Sequence, residues 1–380
     1  MKLHNTITVA LIYGGESSEH EISLLSASEV YKELKEAEYS ILLFYISKKG
    51  VWYIQDEVLD HEGLLPITEE DTRELLLSPG KGIYYKELLN FDVALPITHG
   101  KGGEDGILQG LLTTLHIPYI GPSPFSSMIG MHKKITKLMA QEVNIPVVPH
   151  ISFSYEDIDL LLNKKKLSRK IAHLVGYSEY RKETYRDLFD NITTLLGTHL
   201  ILKPEDEGSS IGIEIFLDGD IDDFFKRIER VFNFSSIVLV ETYIEDMVEV
   251  ECGVVKDTHF VASDPQVILN PKTENPHFLS YTQKYFSPTP FSIDPHYSLK
   301  ETTRNLIKEY ALLVCEILLI EGFARVDFFY QKGSGKIYFN EINTIPGLTK
   351  TSMYPLLMKK SGYSFGRLLD LLIHQKVERD

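Results

Sequence analysis

Hydrophobic and polar positions alternate most clearly near the C-terminal end, where two apolar runs in residues 323–343 flank a turn centred on Ser334. Alternation with a period of two around a glycine-containing turn predicts a β-hairpin. Side chains two residues apart share one face of a strand, and directly opposed Cβ atoms lie about 4.5–5.5 Å apart. Antiparallel pairing about Ser334 therefore predicts one face with four polar side chains, Asp327 opposite Glu341 and Arg325 opposite Asn343.

Two opposed carboxylates, Asp327 and Glu341, repel each other unless a cation lies between them. Hard oxygen ligands without a nearby His or Cys indicate Mg²⁺ or Mn²⁺, and a small number of protein ligands leaves room for phosphate oxygens. The alternative is a surface hairpin with a carboxylate–arginine ion pair. The aromatic side chains in both runs favour a buried sheet and, with it, the metal.

The first 127 residues alternate strand-like and helix-like patterns, which predicts a doubly wound parallel sheet. Strands are expected at 6–12, 41–46 and 91–97, and the segment 50–90 resembles an insertion. Ser18 and Glu21 have the spacing of a capping box, which would start a helix at Ser18 and place Glu19 in its first turn. Functional loops are expected where strands end, at 14–21 and 98–106.

The composition shifts at 122–127, which indicates a domain boundary, and the predicted divisions are 1–127, 128–238 and 239–380. Lys203 ends a strand that runs into EDEGSSIG (205–212), a Gly/Ser loop. The backbone N–H groups of such a loop can fold over phosphates, although the loop can also be a simple turn. A strand leading to Glu241 exits into a short connection that can contact an adenine base, or can be merely acidic. The segment 270–295 is long, Pro-rich and aperiodic, which is typical of a lid or of disorder.

Composition narrows the function further. The chain has 380 residues, a formal net charge of −15 and an apolar fraction of 43%. That charge argues against nucleic acid and anionic membranes as partners, and no run is long enough for a membrane span. The chain starts as a strand without a leader pattern, and its two cysteines, Cys252 and Cys315, are expected to be buried thiols. These features together predict a cytoplasmic protein.

The loop at 98–106 is less informative alone. Its glycines lack the spacing of a phosphate-binding loop or of a dinucleotide fingerprint, which also excludes a Rossmann-type dehydrogenase. His99 in that loop could be a ligand or a base, although a lone loop histidine is more often a hydrogen-bonding positioner.

Eight motifs in this order resemble the ATP-grasp superfamily, and within it the D-alanine–D-alanine ligases. They cover nearly the whole chain and are GGESSEHEIS (14–23), HGKGGEDGILQG (99–110), MHKK (131–134), KPEDEGSSIG (203–212), VETYIEDMVEVEC (240–252), QKYF (283–286), GFARVDFF (322–329) and NEINTIPGLTKTSM (340–353). The resemblance implies an N-terminal α/β domain followed by a two-lobed ATP-grasp domain of α+β character. It also implies a homodimer.

The resemblance assigns a role to each matching residue. For the first D-alanine it implies Glu19 and His99. For the oxyanion it implies Arg325 and the N–H of Gly347, and for the second D-alanine it implies Ser352 and Met353. Those implied for ATP are Lys133, Lys203, Lys284, Glu241, Thr242, Tyr243, Ile244 and Glu249. Two metal ions would be held by Asp327, Glu341 and Asn343. Ser209 and Tyr285 would link with Glu19 to close the site.

The implied reaction is ATP-dependent ligation of two D-alanines through an acyl phosphate, for peptidoglycan precursor synthesis. The alternative is a D-alanyl-D-lactate-type enzyme or another ATP-grasp carboxylate–amine ligase, and Tyr285 favours the amide product. A nucleotide-binding module without catalysis is disfavoured because the metal ligands and Arg325 are all present. One departure from the family pattern is His132, where an aspartate is usual, and it is expected to be structural.

Overall fold

The computed structural model describes residues 7–164, 169–174, 185–208, 210–269, 292–294 and 297–378. The N-terminal part is an α/β unit, and its elements are β1 (Thr8–Gly14), α1 (His20–Glu36), β2 (Ser40–Ile46), β3 (Trp52–Gln55), a 3₁₀ turn (Asp71–Arg73), β4 (Leu76–Ser78), β5 (Gly82–Tyr85), β6 (Glu87–Leu88), β7 (Val93–Pro96), α2 (Ile107–Thr114) and α3 (Pro124–Met131).

The main N-terminal sheet has the order β3-β2-β1-β7, with β1 parallel to both β2 and β7 and with β3 as an antiparallel edge. Alternate residues of β1 enter different cores: Val9 and Leu11 pack with α1, whereas Ala10 and Ile12 pack with α2. Both faces are therefore covered, as a doubly wound sheet requires. The segment 50–90 supplies β3 and the small antiparallel sheet β4-β5-β6.

The middle of the chain forms a second, antiparallel sheet. Its elements are α4 (Lys133–Glu142), β8 (His150–Ser154), α5 (Tyr155–Lys164), α6 (Arg169–Leu174), α7 (Tyr185–Leu196), β9 (His199–Pro204), β10 (Glu214–Leu217), α8 (Ile221–Val231) and β11 (Ile237–Thr242). The strand order is β10-β9-β11-β8. Phe153, Leu200 and Phe216 from the sheet pack against Phe224 and Ile228 of α8 in one apolar core.

The C-terminal part contains a third sheet. Its elements are β12 (Met247–Lys256), β13 (Phe260–Ala262), β14 (Gln266–Leu269), β15 (Ser292–Ile293), α9 (Glu301–Ile317), β16 (Phe323–Gln331), β17 (Ile337–Asn343), α10 (Met353–Lys360) and α11 (Phe365–Val377). The strand order is β15-β14-β12-β16-β17, with β13 paired to β12. Helix α11 packs its Leu368, Leu369 and Leu372 into the core of the N-terminal sheet, a contact that the sequence did not indicate.

The predicted hairpin is β16 paired with β17. Asp327 lies opposite Glu341 and Arg325 opposite Asn343, as the register about Ser334 predicts. Nearer the turn the register changes, because Phe328 pairs with Phe339 and leaves Asn340 as an extra residue at a β-bulge. A bulge kinks its strand and redirects a side chain.

The predicted capping box at the start of α1 is wrong. The helix begins at His20, with Glu19 rather than Ser18 at its N-cap position. The backbone N–H of Glu19 donates to Ser17 Oγ at 3.1 Å, and that hydroxyl donates to the His99 carbonyl at 2.6 Å. Glu21 binds Lys48 instead, at 2.7 Å. The loop is thus fixed by a contact with the loop after β7, which no local spacing could reveal.

Both cysteines are buried free thiols, as expected. Among the residues described, none of the helices combines the length and the apolar character needed to cross a bilayer.

Candidate active site

A cavity lies between the second and third sheets. Lys203 and Gly208 line it from the β9 side, and Glu249, Asp327 and Glu341 line it from the side of β12, β16 and β17. Cationic and acidic side chains thus face each other across it. This arrangement suits a ligand that carries both phosphate groups and metal ions.

The hairpin face brings its four polar side chains together. Arg325 donates from Nε and Nη2 to the two carboxylate oxygens of Asp327, both at 2.8 Å, and Asn343 Nδ2 donates to Asp327 Oδ2 at 2.9 Å. A second carboxylate, Glu251 on β12, lies opposite Asp327 in the sheet and 3.1 Å from Arg325 Nε. Arg325 is therefore held from two sides by carboxylates. Charge-assisted bidentate pairs of this kind fix geometry well.

Lys133 is the first residue of α4 and is buried. Its ammonium donates to the backbone carbonyl of Glu207 in the Gly/Ser loop and lies 3.6 Å from Glu341 Oε2. The neighbouring His132 binds the buried Glu205 carboxylate at 2.6 Å, which agrees with a structural role for this position. Both contacts attach the start of α4 to the loop that follows β9.

Glu241 forms ion pairs with two lysines in the interior of the protein. Its Oε2 lies 2.6 Å from Lys203 Nζ, and its Oε1 lies 2.9 Å from Lys137 Nζ. All three side chains are at most 5% exposed. Burial favours the neutral carboxyl, but the two ammonium groups outweigh it and lower the pKa of Glu241 to about 2. Burial lowers the pKa of Lys137 to about 8, and the charge of Glu241 opposes this only in part.

The segment predicted to contact adenine follows this carboxylate. The N–H groups of Thr242 and Tyr243 donate to the carbonyls of Pro149 and His199, so the connection is fixed by the second sheet. Ile244 is buried and packs with Val148 and Phe329. An apolar group of this composition can hold one face of a planar base. The side chain of Glu241 itself is directed to the lysines.

The Glu19 loop reaches the same region from the N-terminal sheet. Glu19 is buried, and a Cβ atom placed on Gly208 would lie 4.0 Å from its Oε1. His99 is only 4% exposed and contacts Glu104 Oε1 at 3.1 Å and Ser26 Oγ at 3.2 Å. Burial lowers the pKa of His99, but Glu104 and Glu19 outweigh it and raise the pKa above its usual value. This arrangement agrees with His99 as a positioner.

The loop after β17 carries the residues predicted for the second substrate. Ser352 is the N-cap of α10, and its Oγ accepts from the Thr349 N–H at 3.2 Å. A Cβ atom on Gly347 would lie 3.0 Å from that Oγ, so the two residues are direct neighbours. Met353 is buried against Leu357.

Comparisons with known proteins agree with this geometry. Family models described as D-ala D-ala ligase N-terminus and D-ala D-ala ligase C-terminus match residues 8–122 and 171–374. A D-alanine–D-alanine ligase of Borrelia garinii subsp. bavariensis is 37% identical over 369 residues, covering 96% of this chain and 94% of its own. One of Treponema denticola is 32% identical over 384 residues, covering 98% and 96%.

The chain belongs to the D-alanine–D-alanine ligase family. Solved structures agree: the D-alanine-D-alanine ligase from Coxiella burnetii superposes with a TM-score of 0.76 at 28% identity, covering 98% of this chain and 94% of that one. The VanG D-Ala:D-Ser ligase from Enterococcus faecalis has the same TM-score and identity, with 97% and 99% covered. The predicted fold and ligase class are thereby confirmed.

Three residues expected to act in this ligase family, Ser209, Lys284 and Tyr285, lie outside the described residues, as does most of the 270–295 segment. Within the described ranges, no three His, Cys, Asp or Glu side chains cluster closely enough to hold a metal by themselves. Asp327 and Glu341 supply two carboxylates, and Asn343 supplies an amide.

Sequence reasoning missed four residues of the site. Lys137 follows Lys133 by four positions on a helix, a spacing that places both on one face and could have indicated it. Glu251 shares a face of β12 with Glu249, a comparable signal. Asn340 projects from the bulge and accepts from Lys203 Nζ at 3.3 Å. Neither this contact nor the pairing of Glu104 with His99 has a reliable sequence signature.

Proposed function

We propose that this enzyme joins two D-alanine molecules with ATP, through an acyl phosphate, at the cavity between the second and third sheets. The observation that carries the proposal is the hairpin face of Arg325, Asp327, Glu341 and Asn343, opposite Lys133 and Lys203. The dipeptide product is a peptidoglycan precursor. The division into parts at 1–127, 128–238 and 239–380 stays a proposal: its second boundary falls within β11 of the second sheet, and α11 packs on the first sheet.

ATP is assigned to the lysines and the acidic strand. Lys133 and Lys203 would bind the phosphates, with Lys284 added from the 270–295 segment, because ammonium groups beside a Gly/Ser loop neutralise phosphate charge. The connection from Glu241 through Thr242 and Tyr243 to Ile244 would line the adenine, with its apolar contact at Ile244. Glu249 faces the cavity and would accept the ribose hydroxyls.

Mg²⁺ or Mn²⁺, two ions in all, is assigned to Asp327, Glu341 and Asn343. The donor set fits, because it is made of hard oxygen ligands only and leaves positions open for phosphate. When bound, the ions supply Lewis-acid neutralisation of the phosphoryl oxygens. Arg325 would keep its contact with Glu251 if Asp327 served as a metal ligand.

In the first step, Glu19 would hold the ammonium of the first D-alanine, with His99 beside it. The carboxylate of that D-alanine attacks the γ-phosphorus of ATP, ADP leaves, and an acyl phosphate forms. Lys133 and Lys203 neutralise the developing charge. Ser209 and Tyr285 would link with Glu19 and exclude water, which would otherwise hydrolyse the acyl phosphate.

In the second step, the amine of the second D-alanine attacks the acyl carbon, the C–O bond to phosphate breaks, and the proton lost from the nitrogen leaves with the inorganic phosphate. Ser352 and Met353 would bind the carboxylate end of this second D-alanine. Arg325 and the Gly347 N–H would donate to the oxyanion, where one such donor typically contributes about 3–4 kcal/mol. With these roles, the proposed catalytic residues are Glu19, Ser209, Tyr285, Arg325, Gly347 and Ser352.

The enzyme is proposed to act in the cytoplasm as a homodimer, with no nucleic acid or membrane among its partners. Large exposed apolar side chains lie on three successive helices, namely Ile107 on α2, Phe125 and Met128 on α3, and Ile135 and Leu138 on α4. Helix-borne patches of this kind mark protein interfaces. Sedimentation of a Phe125→Asp variant would give a monomer under this proposal, whereas an unchanged dimer would place the interface elsewhere.

The decisive test is phosphate release from ATP and Mg²⁺ with D-alanine, L-alanine, or D-alanine mixed with D-lactate or D-serine, with products identified by mass. The expected result is D-alanyl-D-alanine from D-alanine alone. Preference for D-lactate, with ester formed at neutral pH, would favour the ester-forming alternative. It would also mean that Tyr285 does not have the role assigned to it. Preference for D-serine would resemble the activity in the name of the E. faecalis neighbour. ATP binding without turnover on any substrate would overturn the ligase assignment.

A further inference from the structure

Lys137 is buried completely and belongs to none of the substrate contacts assigned above. Its Nζ lies 2.9 Å from Glu241 Oε1 and 3.5 Å from the Phe339 carbonyl. The other oxygen of Glu241 lies 2.6 Å from Lys203 Nζ, and Lys203 lines the cavity. One carboxylate therefore bridges an ammonium that reaches the cavity and an ammonium that does not.

The charges of these three groups do not cancel. With Glu241 ionised and both lysines protonated, the group carries one net positive charge. The low pKa of Glu241, about 2, keeps its carboxylate ionised, and the pKa of Lys137, about 8, leaves it mostly protonated at neutral pH. If Lys137 were absent, Lys203 and Glu241 would form a neutral pair. A buried neutral pair attracts an anion much less than a buried cation does, because the interior screens charge weakly.

We propose that Lys137 is a positioning residue of the nucleotide site. It holds and neutralises the Glu241 carboxylate, so that the positive charge of Lys203 stays available to the ATP phosphates. The inference rests on the proposed role of Lys203. An ammonium is costly to bury, so an apolar side chain would be expected at this position. The proposed role explains why a lysine is found there instead. It also predicts that Lys137 affects nucleotide binding without affecting the D-alanine sites.

The test is a charge-balance series: Lys137→Met, Lys137→Arg, Glu241→Gln, and the double variant Lys137→Met/Glu241→Gln. The double variant restores one net positive charge, at Lys203. The measurements are KM for ATP and for D-alanine, and the Kd of the non-hydrolysable ATP analogue with a β,γ-imido bridge, with thermal unfolding as the folding control. Lys203→Met serves as the reference for the proposed role of Lys203.

Lys137→Met is expected to raise KM for ATP and the Kd of the analogue about tenfold or more, with KM for D-alanine within about twofold of wild type. Lys137→Arg and the double variant are expected to recover most of the affinity. If Lys137→Met does not fold, Glu241→Gln is compared directly with the double variant. The two should bind the analogue within about threefold of each other, because neither has a carboxylate for Lys137 to neutralise.

Three outcomes would overturn the inference. Unchanged nucleotide affinity in folded Lys137→Met is one, and an equal rise in KM for ATP and D-alanine is another. The third is a double variant that binds as weakly as Lys137→Met or, where that variant does not fold, far more weakly than Glu241→Gln. Failure of the proposed function is distinguishable, because the analogue would then bind equally well to wild type and to Lys203→Met.

Discussion

Nζ of Lys101 lies 2.6 Å from Oε1 of Glu207 and thereby joins two loops from different sheets. Lys101 belongs to the loop that carries His99, and Glu207 immediately precedes Gly208 in the Gly/Ser loop. The backbone carbonyl of the same Glu207 accepts from Lys133. Glu207 of the Gly/Ser loop thus contacts both the proposed D-alanine side and the proposed ATP side of the cavity, which makes this ion pair a candidate link between the two.

Lys101→Met tests that link. The pair is half-exposed on the lysine side, so its loss should change the free energy of unfolding by less than about 1 kcal/mol. Because it orients one loop against the other, KM for D-alanine is expected to rise about threefold, which corresponds to less than 1 kcal/mol. Steady-state kinetics and thermal unfolding measure both. Lys35→Gln, which removes the exposed pair with Glu57, is the control and should change neither. Equal KM values in all three proteins would contradict the link.

Glu104→Gln should alter how stability depends on pH. The pKa of His99 is raised, against the effect of burial, by Glu104 and Glu19. A raised pKa in the folded state stabilises the fold fully below the ordinary pKa of about 6.5, and the contribution is lost as pH rises through the raised value. The variant should therefore be destabilised by about 1.5–3 kcal/mol near pH 6 and by less at alkaline pH.

Chemical unfolding of both proteins across that pH range measures the difference, and titration of the His99 ring by NMR should show a lower pKa in the variant. Glu57→Gln, in which an exposed carboxylate is removed, should show a difference from wild type that does not vary with pH. A stability loss in Glu104→Gln that grows at alkaline pH would reverse the sign and refute the assignment.

Gly103→Ala should destabilise the loop beside His99. A Cβ atom there would lie 2.6 Å from Thr98 Oγ1 and 2.9 Å from the Thr98 carbonyl carbon, which is backbone and cannot rotate away. Overpacking of this kind costs about 1–3 kcal/mol. The matched control is Gly110→Ala in α2, where nothing lies within 4 Å of the added atom. That change should be neutral or stabilise by about 0.5–1 kcal/mol. Equal melting temperatures for the two variants would contradict the clash.

The parts of this molecule that the sequence predicted are those governed by local periodicity. The pairing of Asp327 with Glu341 follows from alternation about one turn, and the two cores of β1 follow from its unbroken apolar run. The bulge at Asn340 was not predictable, because nothing in the alternation of the two runs marks an extra residue there, and its side chain contacts Lys203 of a different sheet. The start of α1 was mispredicted for a similar reason, since Ser17 is held by the His99 loop. Long-range contacts of this kind leave no period in the sequence.

Glu249 and Glu251 should differ in kinetic effect although they are neighbours on one face of β12. Glu251 lies 3.1 Å from Arg325 Nε and opposite Asp327, so it orients the guanidinium proposed for the oxyanion. Glu249 lies opposite Phe329 and faces the cavity where the ribose is proposed. Glu251→Gln is expected to lower kcat about tenfold, about 1.4 kcal/mol of transition-state stabilisation, with little change in KM for ATP. Glu249→Gln is expected to raise KM for ATP with kcat nearly unchanged. Each variant is the control for the other, and a change in the same parameter for both would refute the separate roles.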